Sequence, residues 1–141
     1  MKVKFKKLDP KAVPPYRKDP LDAGWDLTAV SKTISLNNKI VYNTGIAVEI
    51  PKGYVGLLFP KSGVSNKDLI LSNCVGVIDS SYRGPIIVNY TETGNKNHVY
   101  QVNDRICQLI IIPYPEIEWE ETNELSSTFR GDKGFGEHTG K

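Results

Sequence analysis

The chain has 141 residues, a length that fits one domain and allows a buried core without disulfides or a structural metal. Its net charge of +2 is small but unevenly placed, since residues 2–18 are rich in lysine and residues 116–124 are rich in glutamate. The longest apolar run, residues 109–112, is far too short to span a bilayer, and no signal peptide is visible, so we expect a cytoplasmic protein with no membrane partner.

The basic N-terminus alternates lysines with the apolar residues Val3 and Phe5. Nucleic-acid binding is one interpretation of such a segment, but a period of two residues is typical of an edge strand with a solvated face. We therefore expect an edge strand here and no stable nucleic acid binding.

Short β-branched or aromatic segments, separated by Gly, Asn and Pro clusters, follow one another along most of the chain. They predict strands at residues 2–7, 39–42, 46–50, 54–59, 86–90, 99–102 and 106–112. Nine prolines disfavour long helices, and we expect one helical turn at residues 62–67, with Ser62 as its N-cap. The predicted fold class is all-β, a jelly-roll-like antiparallel barrel or sandwich.

The two cysteines, Cys74 and Cys107, each lie in an apolar, strand-like segment. A zinc site would need a cluster of ligands, which these isolated thiols do not provide. They are predicted to be reduced and buried in the core.

The end of the chain differs in kind from the β domain predicted for residues 1–125. Residues 126–141 are rich in glycine and cannot hold a strand or helix on their own, so a disordered terminus is one interpretation. Arg130 and Phe135 favour another, a flexible C-terminal arm that closes over an anionic, aromatic ligand.

Asp79 ends an apolar run and precedes Ser80 and Ser81, a turn signal. A carboxylate at the lip of a buried strand is partly desolvated, which can raise its basicity. Tyr82 follows three residues later and could form a platform beside it. Taken alone, the pattern fits equally well a hairpin in which Asp79 caps the turn.

Five segments of the chain, in the same order, resemble the motifs of the trimeric dUTPase family (deoxyuridine triphosphate nucleotidohydrolases). They are residues 23–27 (Ala-Gly-Trp-Asp-Leu), 60–65 (Pro-Lys-Ser-Gly-Val-Ser), 76–84, 104–109 and the glycine-rich tail. The resemblance runs from about residue 20 to the end of the chain, and five motifs in register are far more specific than one.

The resemblance implies an enzyme that cleaves dUTP to dUMP and pyrophosphate, with Mg²⁺ held by the triphosphate. This reaction limits uracil incorporation into DNA and supplies dUMP for dTMP synthesis. Asp79 would be the general base for the attacking water, and Gln108 would contact that water and the α-phosphate region. Asp26 would hold waters of the Mg²⁺ shell. Asp104 and Arg105 are assigned to structural pairing as much as to catalysis, and so not to the catalytic set.

The resemblance also implies a set of substrate-binding residues. Tyr82 would lie under the sugar and exclude a 2′-hydroxyl, and the amide of Asn73 would match the edge of uracil. Arg130 would meet the γ-phosphate and Phe135 would stack over the base. The implied substrate-binding set is Lys61, Ser62, Gly63, Asn73, Tyr82, Arg130, Phe135, Gly136 and Thr139.

Two features depart from the family pattern. Lys61 stands where arginine is usual, so a point charge replaces a bidentate fork. Lys133 replaces a usual glycine and the ending is one residue longer, which leaves both Thr139 and His138 as candidates for the hydroxyl's place at the γ-phosphate.

The resemblance implies a homotrimer with sites at the subunit interfaces. One alternative is a relative of dCTP deaminase, an enzyme of the same fold, but the chain lacks that family's glutamate base and arginine-serine-rich segment. The other is a nucleotide-sensing regulatory protein, non-catalytic or with a dual role, for which the lysine-rich strand and the glutamate-rich segment would be partner surfaces.

Overall fold

Short antiparallel strands build the described part of the chain, residues 1–94 and 98–137 of this computed structural model. Within these residues there are ten strands and one short 3₁₀ helix. In chain order they are β1 (Lys4–Lys7), β2 (Trp25–Thr28), β3 (Ser31–Ser35), β4 (Lys39–Asn43), β5 (Ile46–Glu49), β6 (Tyr54–Phe59), the 3₁₀ helix (Ser62–Asn66), β7 (Leu69–Leu71), β8 (Gly76–Ile78), β9 (Ile87–Glu92) and β10 (Arg105–Pro113).

The strands form two four-stranded sheets and one two-stranded sheet. The first sheet has the order β2-β10-β6-β8, the second has the order β3-β4-β9-β7, and β1 pairs with β5. All of these pairings are antiparallel. The prediction of an all-β, jelly-roll-like fold is confirmed.

Alternate residues of the central strands face a common core. Val88 and Tyr90 of β9 are buried beside Ile40 and Tyr42 of β4, while the intervening Ile87 and Asn89 are exposed. This period of two is what a strand with one solvated face requires. The alternation therefore explains why these segments were recognisable as strands.

Three tyrosines form the centre of the core. The rings of Tyr42 and Tyr90 meet edge to face at 5.9 Å, and Tyr100 packs against both. The Tyr42 hydroxyl donates to the Tyr100 carbonyl at 2.8 Å, and the Tyr90 hydroxyl donates to the Ile106 carbonyl at 2.6 Å. Burial is the main cause that raises the pKa of all three hydroxyls above the ordinary tyrosine value.

The strand predicted at residues 99–102 is wrong. Val99 and Tyr100 are buried, but the chain turns directly after them. The Gln101 amide donates to the Asp104 carboxylate at 2.7 Å, and the Asp104 amide donates to the Gln101 carbonyl at 3.0 Å. An aspartate that bonds to the backbone in this way closes a turn in competition with a strand ladder.

Ser62 is not the N-cap of the helical turn. The 3₁₀ helix begins at Ser62, and Lys61 occupies the cap position with extended backbone angles and no side-chain cap bond. The Val64 amide donates to the Lys61 carbonyl at 2.9 Å, so the cap lies one residue earlier than predicted, while the helical turn itself begins at Ser62 as expected.

The two cysteines have opposite environments. Cys107 is fully buried, as predicted, and burial followed by the nearby Asp26 carboxylate raises the pKa of its thiol. Cys74 is exposed, which contradicts the prediction, because its amide bonds to the Leu71 carbonyl in a turn and its φ is +61°. An apolar neighbourhood in sequence did not reveal that β7 had already ended.

The N-terminal edge strand is confirmed, although it begins at Lys4 and not at residue 2. All of its residues are exposed, and it pairs with β5. Lys4 Nζ lies 3.5 Å from Glu49 Oε2 on that strand. Among the described residues, no helix is long and apolar enough to cross a membrane.

Candidate active site

One end of the first sheet brings three of the predicted motifs together. On β10, Gln108 lies opposite Asp26 of β2 and opposite Phe59 of β6. Lys61 follows Phe59 by two residues, at the end of β6. The antiparallel register therefore gathers Asp26, Lys61 and Gln108 from segments that are far apart in sequence.

Two cations surround the carboxylate of Asp26. Lys61 Nζ forms an ion pair with Asp26 Oδ2, and Arg105 Nη1 lies 3.8 Å from the same oxygen. Arg105 also lies over the ring of Tyr16 at 4.0 Å, and Tyr16 pairs with Asp26 through its backbone. Because the Asp26 side chain is only 19% exposed, these cations compensate a largely desolvated charge and fix its direction.

The side chain of Gln108 is fixed by a backbone contact. Its Nε2 donates to the Pro60 carbonyl at 3.0 Å, and this acceptor determines which way the amide faces. Gln108 Oε1 then lies against Gly24, where any Cβ would overlap it. Gly24 is therefore needed for the position that Gln108 adopts.

These residues line a cleft of about 330 Å³. Ser62 reaches it from the 3₁₀ helix, whereas Gly63 is exposed, with open space around the position of a Cβ. Two basic residues, Arg17 and Lys18, also line it and were not expected there. Their signal in the sequence was their place a few residues before the first motif.

The third motif runs away from this end along β6: its Gly76 pairs with Leu58, and its Asp79 lies toward the start of the strand. Ile78 pairs with Gly56 and Gln108 pairs with Phe59, three residues apart on β6, which corresponds to roughly 10 Å at about 3.3 Å per residue. Asp79 continues one residue further toward the start of β6 and Lys61 lies past its end, which increases the separation. In one chain, Asp79 does not share a site with Gln108.

Asp79 is exposed, and among the described residues its carboxylate has no hydrogen-bond or ion-pair partner. The partial desolvation expected at the lip of a buried strand is therefore not found in the single chain. The reason is that β8 is an edge strand whose Val77 side chain is 62% exposed.

A tight turn fixes the backbone around Asp79. The Tyr82 amide donates to the Asp79 carbonyl at 3.0 Å. Arg83 Nη1 donates to the carbonyls of Ser80 at 2.6 Å and Tyr82 at 3.0 Å. The turn that carries Asp79 is thus braced by the side chain that follows it.

The ring of Tyr82 stands at the surface in one fixed orientation. Its hydroxyl donates to the Pro85 carbonyl at 2.9 Å. A Cβ on Gly84 would lie only 2.5 Å from the Tyr82 hydroxyl oxygen. The ring is 42% exposed and can offer a flat face to a ligand. Asn73, which is predicted to recognise the uracil edge, is exposed in the turn before β8, whereas Asp79 follows β8.

Two of the predicted arm residues, Arg130 and Phe135, are exposed. Arg130 Nε donates to the nearby Lys133 carbonyl at 3.1 Å, and Phe135 is fully exposed. Gly136 has φ +88°, in the left-handed region that favours glycine. Thr139 and His138 lie outside the described residues.

The chain matches known proteins along nearly its whole length. The dUTPase family model matches residues 11–139. The deoxyuridine 5′-triphosphate nucleotidohydrolase of Wigglesworthia glossinidia brevipalpis is 42% identical over 125 residues, covering 84% of this chain and 81% of the relative. That of Escherichia phage T5 is 35% identical over 143 residues, covering 95% and 96%.

Solved structures agree with the sequence relatives. A mutant dUTPase of Staphylococcus bacteriophage 80alpha with dUpNHpp has a TM-score of 0.85 and 28% identity, covering 96% of each chain. A mutant dUTPase from phage phi11 of S. aureus, described with a structural Mg(II) ion, has a TM-score of 0.77 and 26% identity, covering 90% of this chain and all of the other. The chain belongs to the dUTPase family.

Proposed function

We propose that the protein hydrolyses dUTP to dUMP and pyrophosphate, limiting uracil incorporation into DNA and supplying dUMP for dTMP synthesis. The observation that carries this proposal is the cleft in which Asp26, Lys61 and Gln108 converge, in a chain of the dUTPase family. Such a cleft offers cations for phosphates and polar groups for a water.

The active form in this proposal is a homotrimer. Asp79 and Gln108 lie at opposite ends of β6, so a complete site needs Asp79 of one copy beside the cleft of another. The exposed Arg130 and Phe135 would come from the arm of a third copy and close the site. Closed cyclic assembly of identical copies gives three equivalent sites.

Asp79 acts as the general base. Its carboxylate orients a water and accepts a proton as the water oxygen bonds to the α-phosphorus, and the bond from the α-phosphorus to the oxygen that bridges to the β-phosphorus breaks. Pyrophosphate leaves with that bridging oxygen. The Nε2 of Gln108 donates to the Pro60 carbonyl, and Oε1, the acceptor atom of the amide, would take a hydrogen bond from the water.

The cleft binds the triphosphate through Lys61, Ser62 and Gly63, as the family resemblance implies. Lys61 is paired with Asp26 before substrate arrives and provides a point charge, not a fork.

Mg²⁺ fits this cleft as an ion carried by the substrate. Asp26 is a hard oxygen donor beside the phosphate-binding residues, while the described residues contain no cluster of three or more His, Cys, Asp or Glu that could hold a metal alone. The ion would offset negative charge on the phosphates, with Asp26 holding its water shell.

Selection of deoxyuridine depends on the residues on either side of β8 and on the C-terminal arm. The fixed ring of Tyr82 packs under the sugar and leaves no room for a 2′-hydroxyl, while Asn73 reads the uracil edge. Phe135 stacks over the base, with Gly136 and Thr139 completing the arm.

Pyrophosphate release from dUTP, UTP, dTTP and dCTP with Mg²⁺ tests this function. We expect dUTP to be the substrate and Asp79→Asn to lower kcat by about 100-fold or more, since a general base contributes on that order. Asp68→Asn is the matched control, because this carboxylate lies outside both the cleft and the turn that carries Asp79, and the variant should retain activity.

Other outcomes would contradict the proposal. If wild-type protein leaves dUTP intact, or if Asp79→Asn keeps full activity, the mechanism is wrong. Ammonia release from dCTP would assign the deaminase reaction, and tight dUTP binding without turnover would favour the regulatory alternative.

A further inference from the structure

Arg17 reaches the cleft from outside the five motifs. It lies in the segment before β2 and lines the same cavity as Lys61 and Gln108. Nothing in the motif pattern assigned it a role. Its position beside the phosphate-binding residues makes its interactions informative.

The guanidinium of Arg17 is held in place by two contacts. Its central carbon lies 4.5 Å from the centre of the Trp25 ring, and its Nη1 donates to the Asp22 carbonyl at 3.1 Å. Stacking on an aromatic face fixes the plane of a guanidinium and leaves its other N–H groups free to donate. Arg17 is thus pre-organised for a bidentate contact with an anion.

The two cations that contact Asp26 already have partners. Lys61 is paired with Asp26, and Arg105 lies between Asp26 and the ring of Tyr16. Within the part of the chain that is described, the Arg17 side chain has no carboxylate partner, since its contact to Asp22 is through the backbone. Its full positive charge is available to a ligand.

We propose that Arg17, stacked on Trp25, binds the triphosphate in this cleft and supplies the bidentate contact that Lys61 cannot give. The inference rests on the proposed function and adds a phosphate-binding residue to it. It also gives Trp25 a role as the positioning residue for that guanidinium. The combination offsets the departure from the family pattern at Lys61.

The test compares the affinities of dUpNHpp and dUMP, with Mg²⁺, by calorimetry. Arg17→Ala should weaken dUpNHpp binding about 10- to 100-fold, the range expected for hydrogen bonds to a charged group, and leave dUMP binding nearly unchanged. Arg17→Lys should lie between, because it keeps the charge and loses the fork. Trp25→Leu should weaken dUpNHpp binding less than Arg17→Ala does. Lys39→Ala on β4 is the matched control and should change neither affinity.

A second variant tests whether Arg17 makes up for the missing arginine at position 61 or only adds positive charge to the cleft. In a Lys61→Arg background, which restores a fork at that position, Arg17→Ala should cost less than it does in the wild-type chain. Equal costs in the two backgrounds would overturn the compensation.

Failure of the inference is distinguishable from failure of the proposed function. If the wild type does not bind dUpNHpp, the proposed function fails. Two results would overturn the inference if the wild type binds dUpNHpp. In one, Arg17→Ala and Arg17→Lys both bind dUpNHpp as tightly as the wild type does. In the other, Arg17→Ala weakens dUMP binding by the same factor as dUpNHpp binding.

Discussion

At the scale of single residues, backbone carbonyls fix several side chains in and around the proposed site. Gln108 is held by Pro60, Tyr82 by Pro85, and Arg83 braces the turn through Ser80 and Tyr82. A carbonyl of a folded strand or turn moves little, so each side chain has its direction set before substrate binds. Such pre-organisation is what catalysis by positioning requires.

Gly24→Ala should displace Gln108. The added Cβ would overlap Oε1 of Gln108, and the amide would have to leave the Pro60 carbonyl. We expect kcat for dUTP to fall by about 10-fold or more, as when one group that orients the reacting atoms is lost. Steady-state kinetics measures this effect.

A double-mutant cycle gives the control for Gly24. In a Gln108→Ala background the overlap no longer exists, so Gly24→Ala should cost little further activity. Equal losses in the two backgrounds would show that Gly24 acts through some contact other than Gln108.

Residue types that carry chemistry could be read from the sequence, but their environments could not. Asp26 was predicted as a holder of metal waters, and the sequence did not show that Lys61 and Arg105 would both pair with it. Cys74 and Cys107 have similar apolar neighbours in sequence, yet one lies in a turn and the other in the core. Burial depends on where a strand ends, and local sequence determines ends poorly.

At the scale of elements, β6 determines which motifs meet. It lies between β10 and β8, so its end receives Gln108 and leads to Lys61, while its start lies beside Ile78 and Asp79. Strand β6 was predicted with its observed bounds because it is continuous and rich in β-branched and aromatic residues. Its neighbours could not be predicted, because pairing joins segments far apart in sequence.

Complementation between two impaired variants should restore activity. If sites are shared between copies, mixed trimers of Asp79→Asn and Gln108→Ala contain sites with an intact Asp79 from one chain and an intact Gln108 from another. Refolding the two in equal amounts should give about a quarter of the wild-type activity for a cyclic trimer assembled at random. The readout is pyrophosphate release after refolding, compared with each variant refolded alone.

A second mixture is the matched control for shared sites. Asp79 and Tyr82 lie on the same turn, so Asp79→Asn mixed with Tyr82→Ala leaves one defect in every site and should restore nothing. Recovery in this control, or none in the first mixture, would contradict a site shared between copies.

At the scale of the whole molecule, the buried tyrosines link stability to pH. Burial raises the pKa of Tyr42, Tyr90 and Tyr100 in the folded chain, whereas tyrosine in an unfolded chain titrates near its usual value of about 10. Below that pH both states are protonated and stability is fully present. Above it the unfolded state loses protons first, so the free energy of unfolding falls as pH rises.

Urea unfolding between pH 8 and pH 11 should show this decline. Above about pH 10 the free energy of unfolding should approach a slope of about 1.4 kcal/mol per pH unit for each buried tyrosine, and Cys107 should start a weaker decline nearer pH 9. Tyr42→Phe should lower stability at pH 8, because the Tyr100 carbonyl loses its donor, and should flatten the alkaline slope. Tyr114→Phe, at an exposed tyrosine, is the control and should leave the slope unchanged.

The sequence by itself determined the fold class, the family resemblance and the types of residue in each motif. The alternation of core-facing and solvent-facing residues in β4, β6 and β9 and the order of the five motifs can be recognised in the sequence without knowledge of the fold. Tertiary structure alone decided that Asp26 and Lys61 form a pair, that Arg17 reaches their cleft, and that Asp79 lies at the other end of β6. These facts depend on strand register and sheet order, which arise from packing between distant segments and have no signature in any one of them.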